Sequence, residues 1–133
     1  MNKYLLDTHI LLWLYFNPTK LSKEVLSLFK QNDNTFYVST VSLWEISIKF
    51  QLGKLDLGNL NPLDLRNLIL ENNLKIINVE SDTAATLFQL NATYHKDPFD
   101  RILVWQAIQS NFTFITDDKN IKLYKSEGLK TIW

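Results

Sequence analysis

The side chains able to do chemistry in this chain are mostly acids, and the densest group is His95-Lys96-Asp97-Pro98-Phe99-Asp100-Arg101. Asp97 before Pro98 is a helix start: the carboxylate accepts from N–H groups that lack a helical partner, and proline tolerates the first helical position. Asp100 then falls at the third helical position, where a carboxylate reaches back to the cap as in a capping box. Behind it runs Arg101-Ile102-Leu103-Val104-Trp105-Gln106-Ala107-Ile108, too apolar for a surface helix. Two carboxylates, an imidazole and a guanidinium therefore gather at the positive end of a largely buried helix. Capping accounts for one acid and leaves the group unexplained.

Other acids sit where they can join it. Asp7 ends the apolar run Lys3-Tyr4-Leu5-Leu6, and Asp117-Asp118 end Thr113-Phe114-Ile115-Thr116. Both runs read as buried strands, and in open parallel sheets the functional crevice lies beyond the carboxyl ends of the strands. If these two strands are neighbours, Asp7 and Asp118 share one edge. Glu45 lies in Ser42-Leu43-Trp44-Glu45-Ile46-Ser47-Ile48-Lys49, a helix otherwise apolar enough for the core. Several carboxylates in one cleft repel one another unless a cation settles among them. An all-oxygen donor set suits Mg²⁺ or Mn²⁺ rather than zinc. Such ions, often as a pair, activate water and neutralise a phosphodiester during in-line displacement.

The elements that must position these acids follow from periodicity. The chain has 133 residues, 46% apolar and 13% aromatic, which fits a single domain over residues 1–133 with a substantial core. Strands are expected near 3–6, 36–39, 75–79, 113–116 and 130–133. Helices are expected over 9–14, 23–29, 41–52, from Asn61-Pro62 to Asn72-Asn73, from Ser81 (as cap) to about Tyr94, and from Asp97 onward, with a short one after Asp118. Strands separated by helices, in short apolar runs, predict an α/β fold with a mainly parallel central sheet flanked by helices on both faces. Fourteen basic residues balance fourteen acidic ones, so the basic excess of a typical nucleic-acid binder is missing. Without cysteine there is no disulfide framework or thiolate metal site. With neither a basic leader nor an apolar run of spanning length, a cytoplasmic protein with no membrane contact is expected.

Four stretches together resemble the PIN-domain ribonucleases, and within them the VapC-type toxins of type II toxin–antitoxin pairs. They are Leu5-Leu6-Asp7-Thr8-His9 with Leu12-Trp13; Ser42-Leu43-Trp44-Glu45-Ile46 with Lys49 and Gly53-Lys54-Leu55; His95 to Arg101; and Thr116-Asp117-Asp118. They occur in the family's order and span nearly the whole chain. The resemblance implies a metal-dependent endoribonuclease with catalytic and metal-binding acids Asp7, Glu45, Asp100 and Asp118. It further implies Mg²⁺ or Mn²⁺ as cofactor with two ions in the reactive complex, an RNA substrate, a homodimer, and inhibition by a VapB-like antitoxin. Because two acids are adjacent in the last motif, Asp117 is the alternative to Asp118.

Structural roles compete at each position. Asp7 and Asp97 can act as helix caps; capping accounts fully for Asp97, with support of a metal ligand as its other role. Glu45 can pair with Lys49 one turn on, but an acid amid Trp44, Ile46 and Ile48 is costly for so weak a contact. Arg101 can pair with a carboxylate or hold an RNA phosphate. His95 reads first as a structural histidine and second as a catalyst. Lys49 and Lys119 read as solvated charges before phosphate contacts. The tryptophans at 13, 44, 105 and 133 read as core or dimer surface. Two other functions compete: a non-catalytic RNA-binding module on the same fold, and phosphotransfer through an aspartyl phosphate. The second is disfavoured because Asp7-Thr8-His9 lacks a second acid two residues on. Only three glycines, at 53, 58 and 128, and no Gly-rich turn directly after the first strand argue against a dinucleotide oxidoreductase.

Overall fold

The computed structural model describes residues 2–133. Its strands are β1 (Asn2–Leu6), β2 (Asn34–Ser39), β3 (Lys75–Ile77), β4 (Thr113–Ile115) and β5 (Lys130–Ile132). The α-helices are α1 (Thr8–Phe16), α2 (Lys23–Phe29), α3 (Thr40–Gln51), α4 (Pro62–Glu71), α5 (Ser81–Thr86), α6 (Pro98–Ser110) and α7 (Lys119–Lys122). All strand pairs are parallel, in the order β3-β2-β1-β4-β5. From β1 the chain winds outward to β2 and β3, then returns to build β4 and β5 on the other side. The winding direction therefore reverses between β1 and β4, and a crevice opens at such a switch point beyond the strands' carboxyl ends.

Side chains along β1 alternate between two cores. Tyr4 and Leu6 pack with Ile10, Leu11, Val25, Val38, Leu65 and Ile69 on one face. Leu5 packs with Leu103, Val104, Phe114 and Tyr124 on the other. Leu5 and Leu6 are both fully buried, as a strand covered on both faces requires. Each such leucine contributes roughly 1.5–3 kcal/mol by leaving water. α6 is fixed at both ends: Asp97 accepts from the N–H groups of Phe99 and Asp100, Pro98 opens the helix, and Asn111 at φ 56° closes it in the left-handed region. The described residues contain no helix long and apolar enough to cross a membrane.

The α/β fold with a parallel sheet agrees with the sequence expectation, and three local expectations do not. The helix expected from Ser81 to Tyr94 stops at Thr86, followed by a 3₁₀ turn over Leu87–Gln89. Beyond it the backbone is taken by tertiary partners: Leu90 and Ala92 carbonyls accept from Arg101, and the Ala92 N–H donates to Glu127. Ser81 is the first residue of α5 rather than its cap; Glu80 holds the cap position without a side-chain bond. Asp100 forms no capping box, because its carboxylate turns to His95.

Candidate active site

The switch point holds Asp7, which ends β1 and caps α1. Its Oδ1 accepts from the Thr8 N–H at 2.8 Å and its Oδ2 from the Thr116 hydroxyl at 2.7 Å. Thr116 follows the neighbouring strand β4, and its hydroxyl oxygen also accepts from the Asp118 N–H at 3.1 Å. One threonine thus ties the two strand-end aspartates together. The Thr8 hydroxyl meets Ser42 at 2.9 Å and so binds the start of α1 to α3. All of Asp7, Thr8, Ser42 and Thr116 are buried.

α3 contributes Glu45, only 5% exposed despite its charge. Its Oε2 accepts from Lys49 Nζ at 2.6 Å, while the buried Oε1 has no partner. The pair that spacing alone permits therefore forms, and it leaves half of the carboxylate unsatisfied. Lys49 is accordingly more than a solvated charge: it lines the same cleft.

From α6, Asp100 points at His95, with Nε2 to Oδ2 at 3.1 Å; the same nitrogen lies 3.3 Å from Asp118 Oδ2. His95 Nδ1 accepts from the Asp97 N–H, so in the neutral ring the proton resides on Nε2 and faces both acids. Asp118 Oδ1 caps α7 through Asn120 and Ile121. Asp117 is turned toward His9 Nε2 instead. Of the two adjacent acids, Asp118 lines the cleft and Asp117 stands at its edge.

Asp7, Glu45, Lys49, Asp97, Asp100 and Asp118 share a cleft of about 180 Å³ with His9. Arg101 is not among them. It donates to the carbonyls of Ala92 and Leu90 and to the Tyr124 hydroxyl, so neither a carboxylate nor an open phosphate position is its partner. The Tyr124 hydroxyl also accepts from the His95 N–H and donates to the His95 carbonyl. Arg101 and the buried Tyr124 thereby fix the loop that presents His95.

The electrostatics follow from crowding. Burial first, then the Asp7 charge, push the Asp100 carboxyl up to about 7; Asp97 and Glu45 add to the rise and His95 opposes it. Burial also raises the Asp7 carboxyl, against the pull of His9, Thr116 and Thr8. Lys49 is held more firmly protonated, chiefly by its bond to Glu45. Among the described residues no three His, Asp or Glu side chains yet close on one point at ligand distance; each leans on a protein partner. The donor set nevertheless fits a hard divalent cation. It offers oxygen ligands, two acids disfavoured as free anions, and a buried Glu45 oxygen with nothing else to bind.

Of three supporting residues, two had a weak sequence signal and one had none. Thr116 and Thr8 adjoin Asp117 and Asp7, so hydroxyls beside strand-end acids were available as a clue. Tyr124 lies 23 residues from Arg101, and nothing in the local pattern marks it.

Comparison with known proteins bears on this geometry. The family model described as PIN domain matches residues 4–126. A Mycobacterium tuberculosis protein named Ribonuclease VapC22 is 23% identical over 133 residues, the full length of both chains. Among solved structures, VapBC2 from Rickettsia felis bound to a DNA fragment from their promoter aligns with TM-score 0.70 and 20% identity, covering 98% of this chain and 97% of that one. DNA-bound VapBC from Salmonella typhimurium aligns with TM-score 0.67 and 17% identity, covering 99% and 98%. The relative and the two structures are matched over nearly the whole length of this chain.

Proposed function

The chain belongs to the PIN domain family, and on that premise we propose that it is a metal-dependent endoribonuclease of the VapC toxin type, restrained in the cell by a VapB-like antitoxin. The observation that carries this reading is the convergence of Asp7, Glu45, Asp100 and Asp118 on one cleft, with a buried Glu45 oxygen lacking any partner. The full-length match to a protein named Ribonuclease VapC22 supports the activity. The VapBC complexes among similar structures support the partner. Cytoplasmic location, a homodimer and a single functional domain over 1–133 belong to the same proposal.

The four acids would hold Mg²⁺ or Mn²⁺, with two ions in the reactive complex. A carboxylate-bound divalent ion supplies water of lowered pKa and positive charge at the phosphodiester. The chain's own residues set the geometry. Thr116 and the Thr8 N–H fix both oxygens of Asp7. His95 holds Asp100 and Asp118 against each other from its Nε2 side. Asp97 orients the first turn of α6, which carries Asp100. By the route the family resemblance implies, attack of water on phosphorus with the 3′ oxygen as leaving group would leave 5′-phosphate and 3′-hydroxyl ends.

The test compares wild type and Asp7→Asn on total RNA with Mg²⁺, Mn²⁺ or EDTA, with folding checked by circular dichroism. Cleavage by folded wild type alone, abolished by EDTA, is expected. Ends that are only 2′,3′-cyclic would mean attack by the ribose hydroxyl and exclude this mechanism. RNA retention without cleavage under every divalent ion would identify a binding module instead.

A further inference from the structure

We propose that Lys49 is a built-in cation of the cleft, standing at Glu45 where one divalent ion would stand, so that the RNA-free protein takes a single divalent ion. The inference rests on the metal-nuclease reading above. Among the described residues, Lys49 is the one Lys or Arg side chain that forms an ion pair; every other pair uses a histidine. That lone ammonium is spent inside the candidate site. It lies 2.6 Å from Glu45 Oε2, on the next turn of the same helix.

The two ends of this pair differ in a way a helix-stabilising contact does not require. The Lys49 side chain is 48% exposed and the Glu45 side chain 7%. A pair serving α3 alone would leave both ends in water, where the i,i+4 arrangement already suffices. Here the carboxylate is carried inward, one oxygen is satisfied by the ammonium, and the other has no partner. A carboxylate in that condition can accept one more cation at Oε1, but a divalent ion bridging both oxygens must displace Lys49 or bind against its charge. The remaining acids face imidazoles rather than a fixed cation: Asp7 is held by a hydroxyl and an amide, with His9 Nδ1 at 3.4 Å, and Asp100 and Asp118 share His95 Nε2. Unlike the Lys49 ammonium, a neutral imidazole brings no full charge against an incoming ion. Lys49 can leave without backbone movement, since its four-carbon stem is flexible and half in solvent. An RNA phosphate drawn to the cleft offers the ammonium an alternative partner and frees Glu45 for a second ion.

The experiment counts Mn²⁺ bound to the RNA-free protein by electron paramagnetic resonance and follows Mn²⁺-induced melting shifts. Wild type is expected to bind one ion and Lys49→Arg one. Lys49→Met is expected to bind two, the second about tenfold or more tighter than any second ion in wild type, as removal of a neighbouring unit charge predicts. Its melting temperature should rise more on Mn²⁺ addition than wild type's. Lys119→Met removes a lysine beside Asp118 that pairs with no acid and should leave the count at one. Glu45→Gln combined with Lys49→Met should lose the gained ion. Two ions in wild type, an unchanged count and affinity in Lys49→Met, or an equal gain in Lys119→Met would each overturn the inference while leaving the nuclease reading intact. If neither wild type nor Lys49→Met binds Mn²⁺, the metal-nuclease reading fails and takes the inference with it.

Discussion

Two hollows lie on opposite sides of α3 and α6, and they differ in everything except their walls. One is the acidic cleft of about 180 Å³ lined by Glu45, Asp97 and Asp100. The other, of about 510 Å³, is lined by Trp44, Phe99, Pro98, Val41, Val79, Leu87 and Ile102 and carries no titratable side chain. Trp44 adjoins Glu45 in sequence and Phe99 adjoins Asp100, yet a step of about 100° around each helix sends the neighbours into different hollows. Trp44 and Phe99 meet edge to face at 5.2 Å in the apolar one. Size therefore misleads as a guide to chemistry here; the smaller hollow holds the converging acids and the displaced proton affinity of Asp100.

The largest effect should separate the two hollows outright. Asp100→Asn is expected to lower RNA cleavage by about a thousandfold or more, because ligating acids act as a unit. Phe99→Leu, one residue away, should retain cleavage within a few-fold. Rates on a mapped RNA substrate, with folding verified, check both. A folded Phe99→Leu protein as inactive as Asp100→Asn would show that the apolar hollow takes part in the chemistry.

A second expectation concerns the support behind the cleft. Arg101→Met removes three hydrogen bonds from a charged donor to Leu90, Ala92 and Tyr124, leaving partly buried acceptors unmet. The cost should be about 3 kcal/mol, seen as a melting temperature lower by roughly 10 °C. Cleavage should fall as well, through the loosened loop that carries His95. An unchanged melting temperature would mean that the 90–95 loop is held by other contacts.

This region also shows where the sequence stops being informative. The strand ends and their acids were readable because they depend on local rules: an apolar run, then Asp. The strands β1 and β4 are indeed neighbours, so Asp7 and Asp118 share the edge expected of them. Asp97 does cap α6. The early end of α5 was not readable, since it follows from Arg101 and Glu127 claiming backbone groups of residues 90–92 across the fold. Arg101 itself was misplaced for the same reason: its partners are carbonyls that only the folded chain brings near. Among the tryptophans, Trp105 is buried with its indole N–H donating to Thr86, whereas Trp44, expected in the core or a dimer surface, is 61% exposed in the described chain.

A smaller effect should appear in the pH dependence of stability. Asp100 titrates near 3.8 when unperturbed and at about 7 in the fold. Between those values the folded protein keeps a proton that the unfolded chain releases, so stability falls as pH rises through this window and the penalty is complete above it. Burial moves Asp7 in the same direction. In EDTA, wild type should therefore melt a few degrees lower at about pH 8 than at about pH 5. Asp100→Asn should flatten that slope and melt above wild type at the higher pH. Parallel pH profiles for the two proteins would place the strain elsewhere than Asp100.

The smallest expectation belongs to the apolar hollow. Trp44→Ala removes a large ring, but one mostly in water, with its edge-to-face contact to Phe99. Stability should change by less than about 1 kcal/mol, since little buried area is lost. Trp105→Ala provides the contrast: that ring is 7% exposed within the core around Leu103, Val104 and Phe114, and its loss should cost about 3–5 kcal/mol. Denaturant melts of the two variants at low protein concentration check the pair. A Trp44→Ala penalty as large as that of Trp105→Ala, growing as concentration rises, would mean that the ring is buried against another molecule in solution. The wall shared by the two hollows would then join an assembly surface to the acidic cleft.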